Sequence, residues 1–389
     1  MKKLKLGLLS RIAIAIALGI VCGLIMPHWV GRLFVTLSAL FGNFLNFFIP
    51  LLIFGLITPG ISDIGKSAGR LLLLTVIFAY GFTLFSGFFS YFSSRLIFPM
   101  LLSDGDRLIP VGADTASGML PYFNIDMPPL MSVMTALVLA FTIGLGMSLL
   151  QTDALKKSIN DFREIINLLI HKVIIPCLPL YILGIFWNMT ATGQIAGIIE
   201  VFIKIIVVIF LITFILLLIQ FTIAGIIGKR NPLKLLRIMM PAYMTALGTQ
   251  SSAATIPVTV EQTLKNNVDK DIADFVIPLC ATIHLSGSTL KIVSCALAIM
   301  MTTGMPFDTG LFTGFIFMLG ITMVAAPGVP GGAIMASLGI LQSILGFDET
   351  SNALMIALYI AMDSFGTACN VTGDGSIAII INRIYKKSN

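Results

Sequence analysis

The feature that most constrains this chain is a series of runs, each about 20 residues long, with almost no charge; a helix of that length crosses a hydrocarbon layer roughly 30 Å thick. They include residues 12–26, 34–56, 71–92, 130–150 and 197–227. Of the 389 residues, 57% are apolar and only 11% charged, against roughly 25% charged in a soluble domain. So little charge cannot cover a water-soluble surface. The chain therefore reads as an all-α polytopic membrane protein of about eight transmembrane helices. No nucleophile–base constellation, metal-ligand cluster or phosphate loop stands out, so it is not read as an enzyme.

The net charge of +6 does not point to nucleic acid, because the basic residues gather at the ends of the apolar runs. Lys2, Lys3, Lys5 and Arg11 precede the first run, which lacks a small-x-small cleavage site and reads as a retained helix. Lys66 and Arg70 follow the second run, Lys156, Lys157 and Arg163 the fourth, and Lys229, Arg230, Lys234 and Arg237 the sixth. Arg383, Lys386 and Lys387 close the chain. The excess of Lys and Arg predicts cytoplasmic loops there, with both termini cytoplasmic, in a multi-pass protein of the cell membrane. Asp104, Asp106, Asp114 and Asp126 fall on the opposite side, and Trp29 and Trp187 sit at outer ends where an interfacial belt would hold them.

Several features have plain readings. The five cysteines lie in apolar segments without paired spacing, which suits small buried thiols rather than disulfides or zinc. His28 and His171 read as interfacial, and the 20 methionines as lipid-facing or packing residues. The sequons Asn188-Met189-Thr190 and Asn370-Val371-Thr372 are weak, the second lying inside a helix.

From Asn231 onward the texture changes. Small and polar tracts interrupt the apolar segments: residues 248–259 (GTQSSAATIPVT), 281–290 (ATIHLSGSTL), 325–333 (AAPGVPGGA) and 363–375 (DSFGTACNVTGDG). Non-helical backbone at membrane depth must be surrounded by protein or water. The first and third tracts sit between arms too short to span, and predict re-entrant hairpins over 236–264 and 311–345. The second and fourth predict broken spanning helices over 273–302 and 351–385. Hairpin and broken helix thus occur twice in succession from opposite sides, the pattern of an inverted repeat around a central site.

The last segment carries the densest chemistry. Asp363, Thr367, Asn370 and Asp374 stand at i, i+4, i+7 and i+11, within an arc of roughly 60° on a helix. Carboxylates inside a membrane are costly and mark a solute or ion pathway, or else a structural pair, here with Lys291.

Together these tracts resemble the dicarboxylate/amino acid:cation symporter family, the glutamate transporter homologues. The resemblance rests on the serine-rich tip Ser251-Ser252-Ala253-Ala254-Thr255, the tip Gly328-Val329-Pro330-Gly331 and the string Asn370-Val371-Thr372-Gly373-Asp374. It covers essentially the whole chain and is weakest in the third span and the loop 102–129. It implies a homotrimer working by an elevator mechanism. A scaffold would be formed by 1–70 (spans one and two) and 129–195 (spans four and five). A mobile transport domain would comprise 71–128 (span three and an outer loop) and 196–389. The resemblance also implies that Asp363 receives a substrate amino group beside Thr367. Asn370 and Ser252 would hold its carboxylate, the carbonyls of Gln250 and Val329 would face the amine, and Ser251, Ser288, Gly332 and Gly366 would line the pocket. Asp374, with the carbonyls of Cys280, His284 and Asn370, would frame one sodium site, and the carbonyl of Thr282 with the second hairpin another, sodium favouring such oxygen ligands.

Three departures qualify the resemblance. Where acidic-substrate members carry an arginine, this chain has Gly366 and Gln250. Where they read Asn-Met-Asp-Gly-Thr, it reads His284-Leu285-Ser286-Gly287-Ser288, losing an acidic cation ligand at Ser286. Lys291 stands where an aromatic residue is usual, and the third span offers only Tyr80 and Thr83 near its expected ligands. Ser286 and Lys291 are therefore candidates for altered coupling. Lys291 would stand in for a cation near Asp374 or, alternatively, snorkel to the cytoplasmic interface. His284, of a type that titrates near neutrality, adds a second candidate.

The expected function is symport of a small neutral amino acid, driven by sodium, protons or both, with no cofactor and no partner beyond solute, lipid and its own copies. The alternatives are symport of another small carboxylate or amine, dicarboxylates included, or an uncoupled channel or sensor. Glutamate and aspartate are expected to be poor substrates. Their side-chain carboxylate would meet Gly366 and Gln250 unpaired, at a cost of about 2–7 kcal/mol. Calorimetric titration with aspartate checks this, and tight binding would contradict it.

Overall fold

The computed structural model describes residues 7–65, 70–102, 119–150, 153–191, 193, 195–326 and 330–386. Their regular elements are all helical: α1 (Leu8–Ile25), α2 (His28–Gly65), α3 (Arg70–Leu101), α4 (Val133–Leu149), α5 (Asp153–Leu169), α6 (Ile175–Ala191), α7 (Ile195–Gly228), α8 (Pro232–Thr249), α9 (Ser252–Lys265), α10 (Lys270–Ile283), α11 (Ser286–Thr303), α12 (Thr309–Val324), α13 (Gly332–Leu345), α14 (Glu349–Ala361) and α15 (Asp363–Lys386). Among the described residues six helices are long and apolar enough to cross a membrane, or seven if the bent pair α14 and α15 counts as one span. The other expected span is α4, whose 17 residues cover about 25 Å.

Local signals explain the hairpins. Asn231 caps α8, its side chain accepting from the N–H groups of Leu233 and Lys234, and Pro232 occupies the first turn, where a missing N–H costs nothing. This start moves hairpin one, α8 and α9, four residues ahead of the expected 236. At the tip Gln250 is left-handed (φ 54°) and the Ser251 side chain caps α9 through Ala254 N–H. Hairpin two, α12 and α13, begins where Asp308 caps Leu311 N–H at 2.7 Å, and turns through left-handed Gly331 (φ 76°).

The expected breaks shift by small amounts. Span seven is interrupted at His284 and Leu285, inside its polar tract. Span eight bends by 61° at Met362, ahead of its tract rather than within it. The helix runs unbroken through Asn370-Val371-Thr372-Gly373-Asp374-Gly375, and its two glycines are crossing points for neighbouring side chains rather than breaks: a Cβ at Gly373 would lie 2.7 Å from His284 Cε1, and one at Gly375 2.6 Å from Met239 Cε.

Two other expectations are corrected. Lys156, Lys157 and Arg163 lie not on a loop but on α5, an amphipathic helix that buries Ile159 and Ile166 and sets Phe162 at a tilt against Phe54, ring centroids 6.0 Å apart. A π-turn at Ile170–Ile174 joins it to α6. Trp187 is not in a lipid-facing belt: it is buried at 2% exposure and stacked on Phe34 at 5.1 Å, whereas Trp29 is exposed.

Packing divides the helices into two groups. α1, α2, α4, α5 and α6 pack mainly on one another, and α3 packs with α7 to α15. The register between the groups is offset. Gln342, near the end of α13, donates from Nε2 to Asn46 Oδ1 at 2.7 Å, and Asn46 lies about 27 Å along α2 from its start. With α4 counted as a span and the two hairpins as re-entrant, those two helix ends belong to the same side. The tip of hairpin two correspondingly reaches the far end of α2, where Ala325 meets Gly60. A cavity of about 570 Å³ opens there, lined by Leu56, Gly60, Asn167, Thr282 and Ala325.

Close helix crossings fix the first group. A Cβ at Gly184 would overlap Ser38 Oγ and lie 2.6 Å from the Phe34 carbonyl. Gly184→Ala is expected to destabilise the protein by about 1–3 kcal/mol through overpacking, read as a lower thermal unfolding midpoint. Gly146→Ala, which meets nothing within 4 Å and lies inside α4, is the matched control and is expected to hold or slightly raise the midpoint.

Candidate functional site

α15 lies antiparallel to the interrupted span formed by α10 and α11, and its polar face meets that span in three steps. Asp363 Oδ1 is 3.4 Å from Lys291 Nζ. Two turns on, Asn370 Oδ1 accepts from the N–H groups of Gly287 (2.7 Å) and Ser288 (3.3 Å), while its Nδ2 donates to Ser288 Oγ (3.1 Å). Farther down, Asp374 Oδ1 is 2.8 Å from His284 Nδ1. Asp363, Asn370 and Asp374 thus face the interrupted span, and with Thr367, which shares their arc in the sequence, all are buried.

Each contact answers a local need. The first N–H groups of α11 have no partner inside their own helix, and Leu285, in the capping position, has no side chain to offer. Asn370 supplies the missing acceptor from across the interface. Asp363, the first residue of α15, lies at a helix N-terminus, where the backbone dipole favours negative charge. Its Oδ2 accepts from Gly331 N–H at 2.8 Å, which fastens the tip of hairpin two to the centre of the site. Thr367 Oγ1 donates back to the Asp363 carbonyl at 3.0 Å.

Lys291 does not snorkel. It is 1% exposed, donates to the Met362 carbonyl at 3.2 Å and lies 3.9 Å from the centroid of the Tyr359 ring. Gly366 makes room for it, since a Cβ there would overlap Lys291 Cε and Nζ. Nor does it accompany Asp374 as expected: the antiparallel register sets Lys291 opposite Asp363, and the group facing Asp374 is His284.

The remaining expected residues are placed as follows. Ser286 Oγ accepts from Gln220 Nε2 at 3.1 Å. The Cys280 carbonyl accepts from His284 N–H at 2.8 Å. The Asn370 carbonyl belongs to a continuous helix rather than an unwound one. Thr282 faces the cavity and bonds its hydroxyl to Leu279. Ser252 and Gly332 are buried first residues of α9 and α13, while Gln250 and Ser251 form the tip of hairpin one, which packs along α15 without a hydrogen bond to its polar face among the described residues. Val329 lies outside the described residues. Of the third span, Phe82 approaches His284 (ring centroids 6.4 Å apart), while Thr83 bonds within its own helix and Tyr80 packs by Gly320.

Two participants were not singled out in the sequence. Tyr359 donates to Ser288 Oγ at 3.0 Å and roofs Lys291 with its ring; its signal is its place one turn before Asp363. Gln220 was visible as a lone amide in the apolar run of α7. Its Oε1 and His284 Nε2 are both buried without a partner among the described residues.

Comparison with known proteins supplies the setting. The sequence pattern of the sodium:dicarboxylate symporter family matches residues 8–384. The chain is similar to human excitatory amino acid transporter 5, with 33% identity over 162 residues, 41% of this chain and only 29% of that protein. It is similar over nearly the full length of both chains to the serine/threonine transporters SstT of Acinetobacter baumannii strain AYE (28% identity, 95% of each) and Acinetobacter baylyi (26%, 98% of each).

Asn370→Ala is expected to strand the Gly287 and Ser288 N–H groups in a dry interface, at about 1–3 kcal/mol each. Thermal unfolding of the purified protein checks this. Asn370→Asp, whose carboxylate accepts both bonds, is expected to recover most of the loss.

Proposed function

We propose, since this chain belongs to the sodium:dicarboxylate symporter family, that it is a secondary active transporter that couples sodium entry to uptake of a small carboxylate-bearing solute. The observation that carries the reading is the bond from Gly331 to Asp363. It fastens a hairpin tip, built of backbone that a plain spanning bundle has no use for, onto a buried charged centre between two interrupted helices. Such a tip is suited to act as a gate, and a passive pore needs none.

In this proposal α1, α2, α4, α5 and α6 form the scaffold, and α3 with α7 to α15 the moving domain. The offset register at Asn46 and Gln342 supports an elevator at one end of its travel, with the cavity beside Thr282 and Ala325 leading to the side rich in Lys and Arg, which we take as cytoplasmic. Sodium is cargo, and Asp374 with the backbone around Cys280 and His284 is its proposed station. The homotrimer implied by the resemblance belongs to the same proposal.

Two solute classes fit the reading, each favoured by its own observation. A neutral amino acid is favoured by the full-length relatives named serine/threonine transporters. A carboxylate without an amine is favoured by the existing pair between Lys291 and Asp363.

In proteoliposomes, solute uptake is expected to be concentrative under an inward sodium gradient and to stop when choline replaces sodium. Uptake driven by a proton gradient alone would reassign the coupling ion. Cysteines at Asn46 and Gln342, in a background freed of the five native cysteines, are expected to cross-link and to arrest uptake at least tenfold. Uptake that survives complete cross-linking would refute the moving-domain reading.

A further inference from the structure

The two opposite charges at the head of the site already satisfy each other. Lys291 and Asp363 have side-chain exposures of 1% and 9% and lie 3.4 Å apart. The ammonium cannot retreat: it is held by the Met362 carbonyl, roofed by the Tyr359 ring and seated in the space that Gly366 leaves open. The other oxygen of Asp363 accepts from Gly331. An incoming ammonium would therefore have to share one carboxylate with a fixed lysine in surroundings of low dielectric, where like charges repel strongly.

Hydrogen counting points the same way. Among the described residues, Ser288 Oγ receives bonds from Tyr359 and Asn370 and its own hydrogen is left over, and Asn370 uses only one of its two amide hydrogens. The amide cannot be turned round, since its oxygen accepts two backbone N–H groups. Beside the paired charges, then, the site presents uncommitted donors, and its carboxylate is engaged through both oxygens. Donors next to a buried ammonium suit an anion. They suit one carboxylate rather than two, because Gln250 and Gly366 bring no further cation.

We propose that the solute is a small monocarboxylate without an amino group, and that Lys291 sets this choice by occupying with its own ammonium the place a substrate amine would need. The inference takes its setting from the symport reading, but its test does not depend on transport.

The probes are propionate, lactate and alanine, which share a carbon skeleton and differ only in the group on the second carbon, with succinate as the dicarboxylate. Each is titrated calorimetrically in sodium buffer into the purified full-length protein and into Lys291→Ala. The native protein is expected to bind lactate or propionate at least tenfold more tightly than alanine or succinate. In Lys291→Ala, Asp363 loses its partner, and alanine is expected to bind at least tenfold more tightly than it does to the native protein, while lactate weakens by a similar factor. Thermal unfolding reports whether the variant is folded; if it is not, the order of affinities in the native protein decides. Alanine bound by the native protein as tightly as lactate, no probe bound at all, or a folded Lys291→Ala with the native order of affinities would each overturn the proposal. Lactate bound but not carried under a sodium gradient would refute the symport reading and leave the assignment of Lys291 standing.

Discussion

Breaking a helix inside a membrane exposes backbone N–H groups that no water can reach, and this structure turns on how α15 answers them. Asn370 caps α11 and Asp363 holds Gly331 at the entrance to α13. Each would cost about 1–3 kcal/mol if left unmet. A single unbroken helix is therefore the reference against which an interrupted span and a hairpin tip are positioned. This explains why α15 itself is continuous where its composition suggests a break. A helix that serves as the common acceptor cannot also be unwound at the same depth.

The same economy links binding to gating. Asp363 is at once the partner of a buried lysine and the latch of a hairpin tip, so whatever disturbs its charge balance also acts on the tip. A solute that engages Ser288 and Asn370 touches the cap of α11 and, through Tyr359, the roof over Lys291. Recognition and closure are thus read by one set of groups rather than passed between distant ones. The offset between the two packing groups then allows the whole set to shift as a body, since few of its polar bonds cross to α2 and α6.

Much of this was legible in the sequence, and the division follows the range of the interactions. Asp363, Thr367, Asn370 and Asp374 could be assigned to one face because helical periodicity is local. The hairpins could be bracketed because their small polar tips and short apolar arms are local features, while the caps at Asn231 and Asp308 that set their starts were passed over. The choice of partners could not, since whether Lys291 faces Asp363 or Asp374 depends on an antiparallel register between segments some 70 residues apart. Trp187 failed for a related reason. An aromatic residue at the end of an apolar run looks the same in sequence whether lipid or Phe34 covers it. Gln220 was in plain view, but its meaning needed Ser286 beside it.

Gly366 and Lys291 claim one volume from two helices, and this ties the histories of the two positions together. A lineage carrying a side chain at 366 must first lose it before lysine can enter at 291; a lineage carrying the lysine must surrender it before 366 can grow. Either intermediate has an empty space and an unbalanced aspartate. Natural variation at these two sites is therefore expected to behave as one inherited character, crossing between states through a valley rather than drifting between them.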